Sequence, residues 1–518
     1  MTGQDMPEWA ARLIADLSRR ISTRPLEWAE KAPDTPALVE GDITWTYGQL
    51  AEAVGEAKSL LFGLGVWPGD RLLVVGENCR AQVALALAAG EMDVWFVPIN
   101  ARMTAREVDA IQAHCQPRRT LFTVEASQAA ADHAKRHMAD MREIGMLGGL
   151  GLGPQMDVET EPVEDDSARQ PAVLIYTTGT TGEPKACMNS HRGITYVAAV
   201  SGHLRGFSQK SRAYGVLPQS HIFGYSPVMI GCLTAGGCLE VVGRYEPAHL
   251  FERLKAGITI LQGVPAMYAG LLEYAETNGL TIEAPALEYC SSGGAPMDVD
   301  LKQRVEKALG VPLNNGYGMS ETGPTIAHTL NDHPRLDNTV GPILPGQQAR
   351  TTTDAGEVLP EGEVGELWVK GPNVMLGYYR NVEATKEVLS QDGWFRTGDL
   401  ARIDEKGFLY IVGRAKELII RSGFNVFPPE VEGAINSHPD VTLSAVVGRT
   451  VDDGNEEVVA FVQPAKGKTL TEEGLITFLE GRLAPYKKPG IFVFMDSLPA
   501  APTGKILKKE LSEKAKSL

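Results

Sequence analysis

Apolar runs alternate with amphipathic stretches along the first part of the chain. Leu72–Val75 is a short apolar run, Arg80–Ala89 favours a helix, and Val94–Val97 is apolar again. This order predicts two parallel strands joined by a helix. Thr104 followed by Glu107 has the spacing of a capping box, which marks the start of a further helix. The alternation predicts a mainly parallel, buried sheet flanked by helices.

The pattern changes twice further along the chain. Residues 148–170 are rich in glycine and then in acidic side chains, which predicts a surface linker. From about Gly362, alternating segments such as GELWVKG and FLYIV predict a β-rich subdomain. The roughly 105 residues from Arg414 onwards contain their own helical and apolar segments and predict a separate small α+β domain.

The charge of the chain is unevenly distributed. The 518 residues carry a net charge of −16. From Arg414 to the end, fourteen basic residues balance fourteen acidic ones, so the whole excess lies before Arg414. An acidic body repels phosphates at long range, which argues against general nucleic-acid binding. A phosphate-bearing substrate would need locally concentrated donors.

The sequence lacks the usual signals for membranes or secretion. The longest apolar stretch, Ala81–Asn100, is interrupted by Glu91 and Asp93, and a span needs about 20 apolar residues. The N-terminus has no basic region followed by an apolar core. The six cysteines form no CxxC pair, which predicts core thiols without a disulfide framework or a structural zinc site. These features predict a cytoplasmic protein with no membrane span.

Ile175–Lys185, with the sequence IYTTGTTGEPK, is typical of phosphate binding. Four threonines and two glycines follow an apolar strand, so amides and hydroxyls can face one anion while Lys185 supplies charge. The segment is not a Walker loop, because Glu183 and Pro184 separate the second glycine from the lysine. A turn-rich hairpin without a ligand fits the same residues.

Four further segments support the phosphate-binding interpretation, and they occur at Asn315–Thr322 (NGYGMSET), Phe395–Asp399 (FRTGD), Gly413–Glu432 (GRAKELIIRSGFNVFPPEVE) and Pro502–Lys505 (PTGK). With these motifs the chain resembles the adenylate-forming superfamily of acyl-CoA synthetases, luciferases and peptide-synthetase adenylation domains. The resemblance spans nearly the whole chain, with the motifs in family order. Thr178, Ala186 and Ser320 depart from the usual family residues, although positions 178 and 320 keep a hydroxyl.

The resemblance implies an α/β fold and a reaction. It implies a large domain, residues 1–413, of mainly parallel sheets flanked by helices plus the β-rich subdomain. A hinge at 414–417, with Lys416 as pivot, would connect it to a small mobile lid, residues 418–518. The implied activity is an ATP-dependent acyl-CoA ligase: a carboxylate attacks ATP to give an acyl-adenylate and pyrophosphate, and coenzyme A then displaces AMP. Transfer to a carrier-protein phosphopantetheine and a noncatalytic adenylate binder are the alternatives.

The resemblance also assigns residues to ATP, Mg²⁺ and coenzyme A. Lys505 would stabilise the charge of adenylation, Lys185 the leaving pyrophosphate, and Glu321 would ligate Mg²⁺. Tyr317 would face adenine, while Asp399 would accept the ribose hydroxyls and Arg414 would donate to the sugar or phosphate. The complete cofactor-binding set comprises Thr177, Thr178, Gly179, Thr180, Thr181, Gly182, Lys185, Gly294, Ala295, Pro296, Asn315, Gly316, Tyr317, Gly318, Ser320, Asp399, Arg414 and Lys505, with Gly423 and Phe424 beside coenzyme A.

The acid substrate is the least determined part of the sequence-based prediction. By resemblance, its pocket is formed by His221–Tyr225, Val264–Met267, Ser291–Gly294 and Met319, which are mostly apolar or small. That composition favours an uncharged medium-chain aliphatic or aromatic acid over an amino acid or a dicarboxylate. His221 would orient the carboxylate or gate the site, and a structural histidine is the alternative. The expected partners are small molecules alone, with the protein a monomer or a homodimer.

Overall fold

The protein is described by a computed structural model that covers residues 6–178, 184–422, 424–451, 455–500 and 506–518. Two large sheets, one smaller antiparallel sheet and a small three-stranded sheet make up most of the architecture. No described helix is both long and apolar enough to cross a bilayer.

The first large sheet has seven strands, with the parallel ones in its middle. Its strands are β3 (Arg71–Gly76), β4 (Trp95–Asn100), β5 (Arg119–Phe122), β6 (Asp140–Ile144), β7 (Gly148–Leu152), β8 (Pro171–Thr178) and β9 (Pro184–Ser190). Their order is β6-β7-β5-β3-β4-β8-β9. The central four are parallel, whereas β6, β7 and β9 pair antiparallel. The predicted βαβ unit is confirmed by β3 and β4.

The second large sheet has eight strands. They are β1 (Pro36–Glu40), β2 (Ile43–Thr46), β10 (Arg212–Gly215), β11 (Cys238–Val241), β12 (Ile260–Gly263), β13 (Tyr289–Ser292), β14 (Leu313–Gly318) and β15 (Thr325–His328). Their order is β15-β14-β13-β12-β10-β11-β1-β2, with antiparallel pairing only at the two edges. The carboxyl ends of the inner strands therefore lie along one edge of the sheet.

Helices cover both large sheets. They are α1 (Glu8–Ala15), α2 (Thr23–Lys31), α3 (Tyr47–Gly63), α4 (Arg80–Glu91), α5 (Ala105–Cys115), α6 (Gln128–Arg136), α7 (His191–Tyr196), α8 (Gly202–Leu204), α9 (Gly231–Thr234), α10 (Pro247–Lys255), α11 (Pro265–Asn278) and α12 (Val299–Leu309). Thr104 caps α5 as predicted: its side chain accepts a hydrogen bond from the Glu107 amide, and the Glu107 carboxylate accepts one from the Thr104 amide. Helix α4 is buried over nearly its whole length because it packs between the two sheets.

A β-rich subdomain follows, as predicted. Its antiparallel strands are β16 (Gly341–Pro342), β17 (Gln348–Thr352), β18 (Val364–Lys370), β19 (Phe395–Ile403) and β20 (Phe408–Arg414), in the order β16-β20-β19-β18-β17, and α13 (Val382–Val388) lies beside them. A separate apolar cluster that includes Leu367, Phe395 and Leu409 forms its core.

The last part of the described chain has two apolar clusters of its own. Its elements are β21 (Ile419–Arg421), β22 (Phe424–Val426), α14 (Pro428–Asn436), β23 (Val441–Thr450), β24 (Glu456–Pro464), α15 (Glu472–Phe478), β25 (Ile491–Phe494) and α16 (Lys508–Ala515). Strands β23, β24 and β25 form one sheet in that order, while β21 pairs with β22. A separate α+β unit was predicted here.

The linker prediction for residues 148–170 was wrong for its first part. Gly148–Leu152 forms β7, which pairs with both β5 and β6. Its glycines permit close packing, since a Cβ at Gly151 would lie 2.9 Å from Ala134. The following residues are also held, because the Arg118 guanidinium donates to the carbonyls of Met156 and Val158. Composition alone did not show these tertiary contacts.

Candidate active site

Several predicted site residues meet at one edge of the eight-stranded sheet. Val264 follows β12, Gly293 and Gly294 follow β13, and Tyr317 lies at the end of β14. Because these strands are parallel neighbours, the segments after them converge. Crevices at the carboxyl ends of parallel strands are the usual ligand sites of α/β sheets. His221 reaches this region through the segment after β10.

Tyr317, Asp399 and Arg414 come together from distant parts of the chain. The Tyr317 hydroxyl donates to Oδ2 of Asp399 at 2.5 Å, although 82 residues separate them. Asp399 and Arg414 face each other across β19 and β20, with 3.4 Å between Nε and Oδ1. Burial, reinforced by the Asp399 carboxylate, raises the pKa of Tyr317 well above its ordinary value. This group presents an aromatic ring, an acceptor and a cation beside one another.

Glycine is required where the GYG segment turns. A Cβ at Gly318 would lie 1.6 Å from the Pro324 carbonyl oxygen, so only glycine fits there. The tight approach places Ser320–Thr322 in a single 3₁₀ turn directly after β14. Ser320 is buried in this turn, and Glu321 is half-buried.

Glu321 and Lys185 both contact the side chain of Tyr378. The Tyr378 hydroxyl donates to Oε1 of Glu321 at 2.8 Å, and the Lys185 ammonium lies 5.0 Å from the centre of the same ring. Lys185 opposes Thr177 in the β8–β9 pair, so the predicted phosphate segment is a hairpin over its described residues. Burial first, and then the Glu321 carboxylate, raises the pKa of the nearby Cys187 thiol, which is therefore a neutral neighbour.

One carboxylate at this position fits the coordination chemistry of Mg²⁺. That ion usually takes one or two protein carboxylates, with phosphate oxygens and water completing an octahedron. No group of three or more histidine, cysteine, aspartate or glutamate side chains suited to a metal occurs within the described ranges. An all-protein cage is thus absent there, and Glu321 beside the hairpin suits an ion that is held largely by nucleotide phosphates.

His221 is half-buried, and a backbone amide helps to orient its ring. Its Nδ1 accepts from the Phe223 amide at 3.2 Å, so in the neutral ring the proton resides on Nε2. His221 and Phe223 precede a π-helical segment, Gly224–Ile230, that contains Pro227. Such segments are frequent at functional sites. The pocket wall that includes these residues stays a prediction.

Asn315, which was predicted to bind the nucleotide, forms hydrogen bonds with other residues of the protein. Its backbone amide donates to the Thr329 hydroxyl at 2.8 Å, and its Nδ2 donates to the Thr339 carbonyl at 3.2 Å. These bonds fix the end of β14 and so position Tyr317. Gly294 has a positive φ of 79° at the start of the segment that continues through Ala295 and Pro296.

Part of the predicted site lies outside the described residues. Gly179, Thr180, Thr181, Gly182, Gly423 and Lys505 lie outside the described residues, and Thr178 is described only in its backbone. Phe424 is exposed and stacks on Tyr486, with ring centres 4.6 Å apart.

Two side chains in this region were not predicted from the sequence. Tyr378 joins Glu321 to Lys185, yet it lies in an irregular segment with no recognised motif. Arg205 is buried beside α8, outside every segment assigned to the pocket. A lone arginine is ordinary on a protein surface, so only the fold reveals that this one is inside.

Comparison with known proteins extends over nearly the whole chain. The sequence profile of the AMP-binding enzyme family matches residues 26–379, and that of the AMP-binding enzyme C-terminal domain matches residues 430–505. A feruloyl-CoA synthase from Amycolatopsis sp. is 31% identical over 95% of this chain and 98% of its own. An indoleacetate–CoA ligase from Aromatoleum aromaticum is 30% identical over 94% and 97%.

Solved structures are similar over the same extent. ATP-bound MatB from Rhodopseudomonas palustris superposes with a TM-score of 0.85 and 30% identity over 96% of this chain and 99% of its own. The o-succinylbenzoate CoA synthetase MenE from Bacillus subtilis, in complex with its acyl-adenylate, gives a TM-score of 0.81 and 26% identity over 94% and 97%.

Proposed function

The chain belongs to the family of AMP-binding enzymes, and we propose on that premise that its site joins a carboxylic acid to coenzyme A at the expense of ATP. The reaction is that of an acid–thiol ligase: acid, ATP and coenzyme A give acyl-CoA, AMP and pyrophosphate through an acyl-adenylate. The single observation that carries the assignment of residues is the contact of Tyr317 with Asp399. Tyr317 belongs to the same short segment as Ser320 and Glu321.

The nucleoside half of ATP fits the first group of side chains. The Tyr317 ring offers a face for adenine, and the Asp399 carboxylate accepts the ribose hydroxyls. Arg414, directly opposite Asp399, donates to the same sugar or to the α-phosphate. Aspartate is acceptor-only when ionised, so it suits a diol.

The triphosphate half fits the second group. We assign the β- and γ-phosphates to the hairpin that contains Thr177 and Lys185, and the metal to Glu321. Bound Mg²⁺ would neutralise phosphate charge and make pyrophosphate a better leaving group. Lys185 stabilises the same anion, while Ser320 donates to a phosphate oxygen. We assign to Lys505 the stabilisation of the negative charge that accumulates when the carboxylate approaches the α-phosphate.

The second half-reaction requires a rearrangement of the site. The coenzyme A thiol must reach the place that Lys505 occupies during adenylation, and rotation of residues 418–518 about 414–417 provides this exchange. Lys416 lies in the single 3₁₀ turn Ala415–Glu417, between β20 and β21. We assign the pantetheine arm to the segment around Gly423 and Phe424.

The substrate is proposed to be a medium-chain aliphatic or aromatic acid. Ile222, Phe223 and Met267 are buried and apolar at the assigned pocket wall. The names of the relatives mention ferulate and indoleacetate, both of which are aromatic acids. We assign to His221 the role of orienting the reacting carboxylate. We propose the cytoplasm, where ATP and coenzyme A are available, as the location of the reaction.

The test is an acid panel with purified protein, ATP, Mg²⁺ and coenzyme A. We expect coenzyme A-dependent AMP release with medium-chain aliphatic acids or substituted benzoates and cinnamates, and little with amino acids. Acyl-adenylate formation without thioester formation would indicate a carrier-protein acceptor. No AMP and no adenylate with any acid, in a protein that still binds ATP, would indicate a noncatalytic binder and refute the proposal.

A further inference from the structure

Arg205 is a buried charge without a counter-charge among the described residues. Its side chain belongs to a residue only 4% exposed, and its Nε and Nη1 have no hydrogen-bond partner in the described part of the chain. No carboxylate of these residues pairs with it, although many other arginines of this protein do find one. An uncompensated buried guanidinium is costly, and arginine remains charged in proteins. Such a group is therefore expected to have a function.

Arg205 lies over one face of the eight-stranded sheet. Alternate residues of β13 point to opposite faces. The Cys290 thiol lies 3.3 Å from the Tyr268 hydroxyl, so Cys290 faces α11. Tyr289 and Ser291 consequently face away from α11. Burial raises the pKa of Tyr289, and the charge and a hydrogen bond of the adjacent Arg205 guanidinium oppose that rise, so Arg205 lies on the side of Tyr289.

That face carries several further polar groups without partners. Gln262 is the register neighbour of Ser291 in the parallel β12–β13 pair and so points to the same side. Asn314 of β14 is the register neighbour of Ser291, and Gly316, two residues further along the strand, faces the same side of the sheet. His328 of β15 pairs with Gly316 and therefore also faces this side. We name these residues the polar floor: Arg205, Gln262, Tyr289, Ser291 and His328. Each is buried and, apart from the contact between Arg205 and Tyr289, has at least one side-chain atom without a hydrogen-bond partner within the described ranges.

The polar floor adjoins the assigned acyl site. Gly293 is an even number of residues from Tyr289 and Ser291 and so faces the same side of the sheet. A Cβ built on Gly293 would lie 3.2 Å from the Phe223 ring. The face that bears the floor is therefore the face covered by the pocket wall that begins at His221. At the other side, Gly316 precedes Tyr317, the residue assigned to adenine. An acid whose carboxylate lies near the nucleotide would extend its tail over this face.

The protonation of the floor is fixed over the working pH range. Burial, and then the Arg205 charge, lowers the pKa of His328 to about 3, so its imidazole is neutral. Burial raises the pKa of Tyr289, whose hydroxyl therefore keeps its proton. The floor thus combines one permanent cation with neutral groups that include hydroxyl and amide donors.

We propose that the acid substrate carries, at the end remote from its reacting carboxylate, an oxygen acceptor that the polar floor binds, and that a second carboxylate fits best. This inference rests on the proposed ligase function and specifies the substrate class of the same site. A carboxylate supplies the counter-charge that Arg205 lacks and accepts from the guanidinium and hydroxyl groups together. This proposed acid differs from the acid with an uncharged tail that was expected from the pocket segments alone, because those segments did not include Arg205.

The experiment compares acids that differ only at the remote end. Octanoate is paired with octanedioate, and 4-methylbenzoate with terephthalate and 4-acetylbenzoate. For each acid, kcat/KM is measured by coenzyme A-dependent AMP release in wild type, Arg205→Met, Arg205→Lys and Tyr289→Phe. Arg212→Met is the matched control, because Arg212 belongs to the same sheet but pairs with Glu240 at 3.3 Å.

We expect wild type to favour the acceptor-bearing acid of each pair by about tenfold or more, since a site built for a polar group rejects the analogue lacking it. Arg205→Met should abolish or invert this ratio, chiefly through KM, and Arg205→Lys should restore part of it. Tyr289→Phe should reduce it severalfold, and Arg212→Met should leave it unchanged. A preference for neutral 4-acetylbenzoate that Arg205→Met abolishes also supports the acceptor site.

A preference of wild type for the methyl-ended acids, with the same ratio in Arg205→Met, would overturn the inference and leave the ligase proposal intact. Failure of every acid to release AMP would instead count against the proposed function. If Arg205→Met does not fold, the isosteric Tyr289→Phe and the charge-retaining Arg205→Lys decide the matter by the same ratio. Stability is followed by thermal unfolding. If Arg205 had only a structural role, Arg205→Met would be unstable, and Tyr289→Phe would show the same substrate preference as wild type.

Discussion

At the residue scale, Glu321 and Glu161 offer a comparison within one molecule. Each accepts a hydrogen bond from one of two consecutive tyrosines, Tyr378 for Glu321 at 2.8 Å and Tyr379 for Glu161 at 2.6 Å. Only Glu321 lies beside the hairpin assigned to the phosphates. The two carboxylates share the tyrosine contact, while Glu161 also lies 3.7 Å from Arg71 and 3.9 Å from Arg380. Their expected roles differ, so Glu161 serves as a control for a carboxylate that supports a tyrosine without binding metal.

Glu321→Gln is expected to weaken the use of Mg²⁺. An amide keeps an acceptor for Tyr378 but loses the charge that a hard cation prefers. We expect the Mg²⁺ concentration for half-maximal ATP–pyrophosphate exchange to rise about tenfold or more, equivalent to about 1.4 kcal/mol or more. Glu161→Gln is the control and should leave the Mg²⁺ dependence unchanged. Equal Mg²⁺ curves for wild type and Glu321→Gln would contradict the assignment.

Motifs allowed individual side chains to be assigned when a residue type and its neighbours were both distinctive. Tyr317 and Asp399 were each assigned to the nucleotide from short segments, and the fold brings them into direct contact. Tyr378 and Arg205 could not be predicted, because their significance comes from what surrounds them in space. Whether a tyrosine or an arginine is buried beside another strand is decided by tertiary packing.

At the element scale, Lys508 connects three segments at the end of the chain. It begins α16 and pairs with Glu432 of α14 at 2.8 Å and with Glu417 of the 3₁₀ turn at 3.2 Å. Burial lowers the pKa of Lys508, but Glu432 and Glu417 raise it more, so the net shift is upward. The ion pair thus holds the turn Ala415–Glu417 against the last helices.

Lys508→Met should destabilise this unit by roughly 1–3 kcal/mol, because it leaves the mostly buried Glu432 carboxylate without its cation. Thermal or urea unfolding measures the loss, and Lys516→Met, which removes an exposed pair with Glu513, should cost little. Since the folded pKa is raised, the stabilisation is fully present below the ordinary lysine pKa of 10.5 and disappears only as pH rises through the folded value. A loss of the Lys508 contribution near pH 7 would contradict this.

Strong periodicity and capping predicted elements reliably, whereas composition alone did not. The βαβ unit and α5 were recognised from apolar runs and from the Thr104–Glu107 capping box. Gly148–Leu152 was missed because glycine lowers strand propensity, and its pairing with β5 and β6 depends on residues far along the chain. Local signals therefore sufficed only where the local structure is self-supporting.

At the scale of the whole molecule, the proposed cycle depends on rotation about residues 414–417. Lys416→Pro is expected to restrict the backbone change of the hinge, because proline fixes φ near −65°. Pyrophosphate exchange should persist while thioester formation falls strongly. Lys416→Ala is the control, since it removes the charge but keeps the backbone freedom, and it should support both half-reactions. Normal overall turnover in Lys416→Pro would contradict a hinge at this position.

The division into domains 1–413 and 418–518 remains a prediction of the same kind. Separate apolar clusters agree with it, since the small sheet β23–β25 packs with its own helices. The sequence motifs indicated the order of the parts along the chain, and movement between them is expected to affect the second half-reaction more than the first. Kinetic separation of the half-reactions is therefore the appropriate test of movement.

The most direct measurement of the central claim is acid-dependent exchange of labelled pyrophosphate into ATP, made on wild type and Lys505→Ala. The account predicts exchange in wild type only when an acid substrate is present. It predicts a loss of about 10²–10³-fold in Lys505→Ala, with thioester formation from supplied acyl-adenylate preserved. Absence of acid-dependent exchange in wild type, or equal damage to both half-reactions in Lys505→Ala, would contradict it.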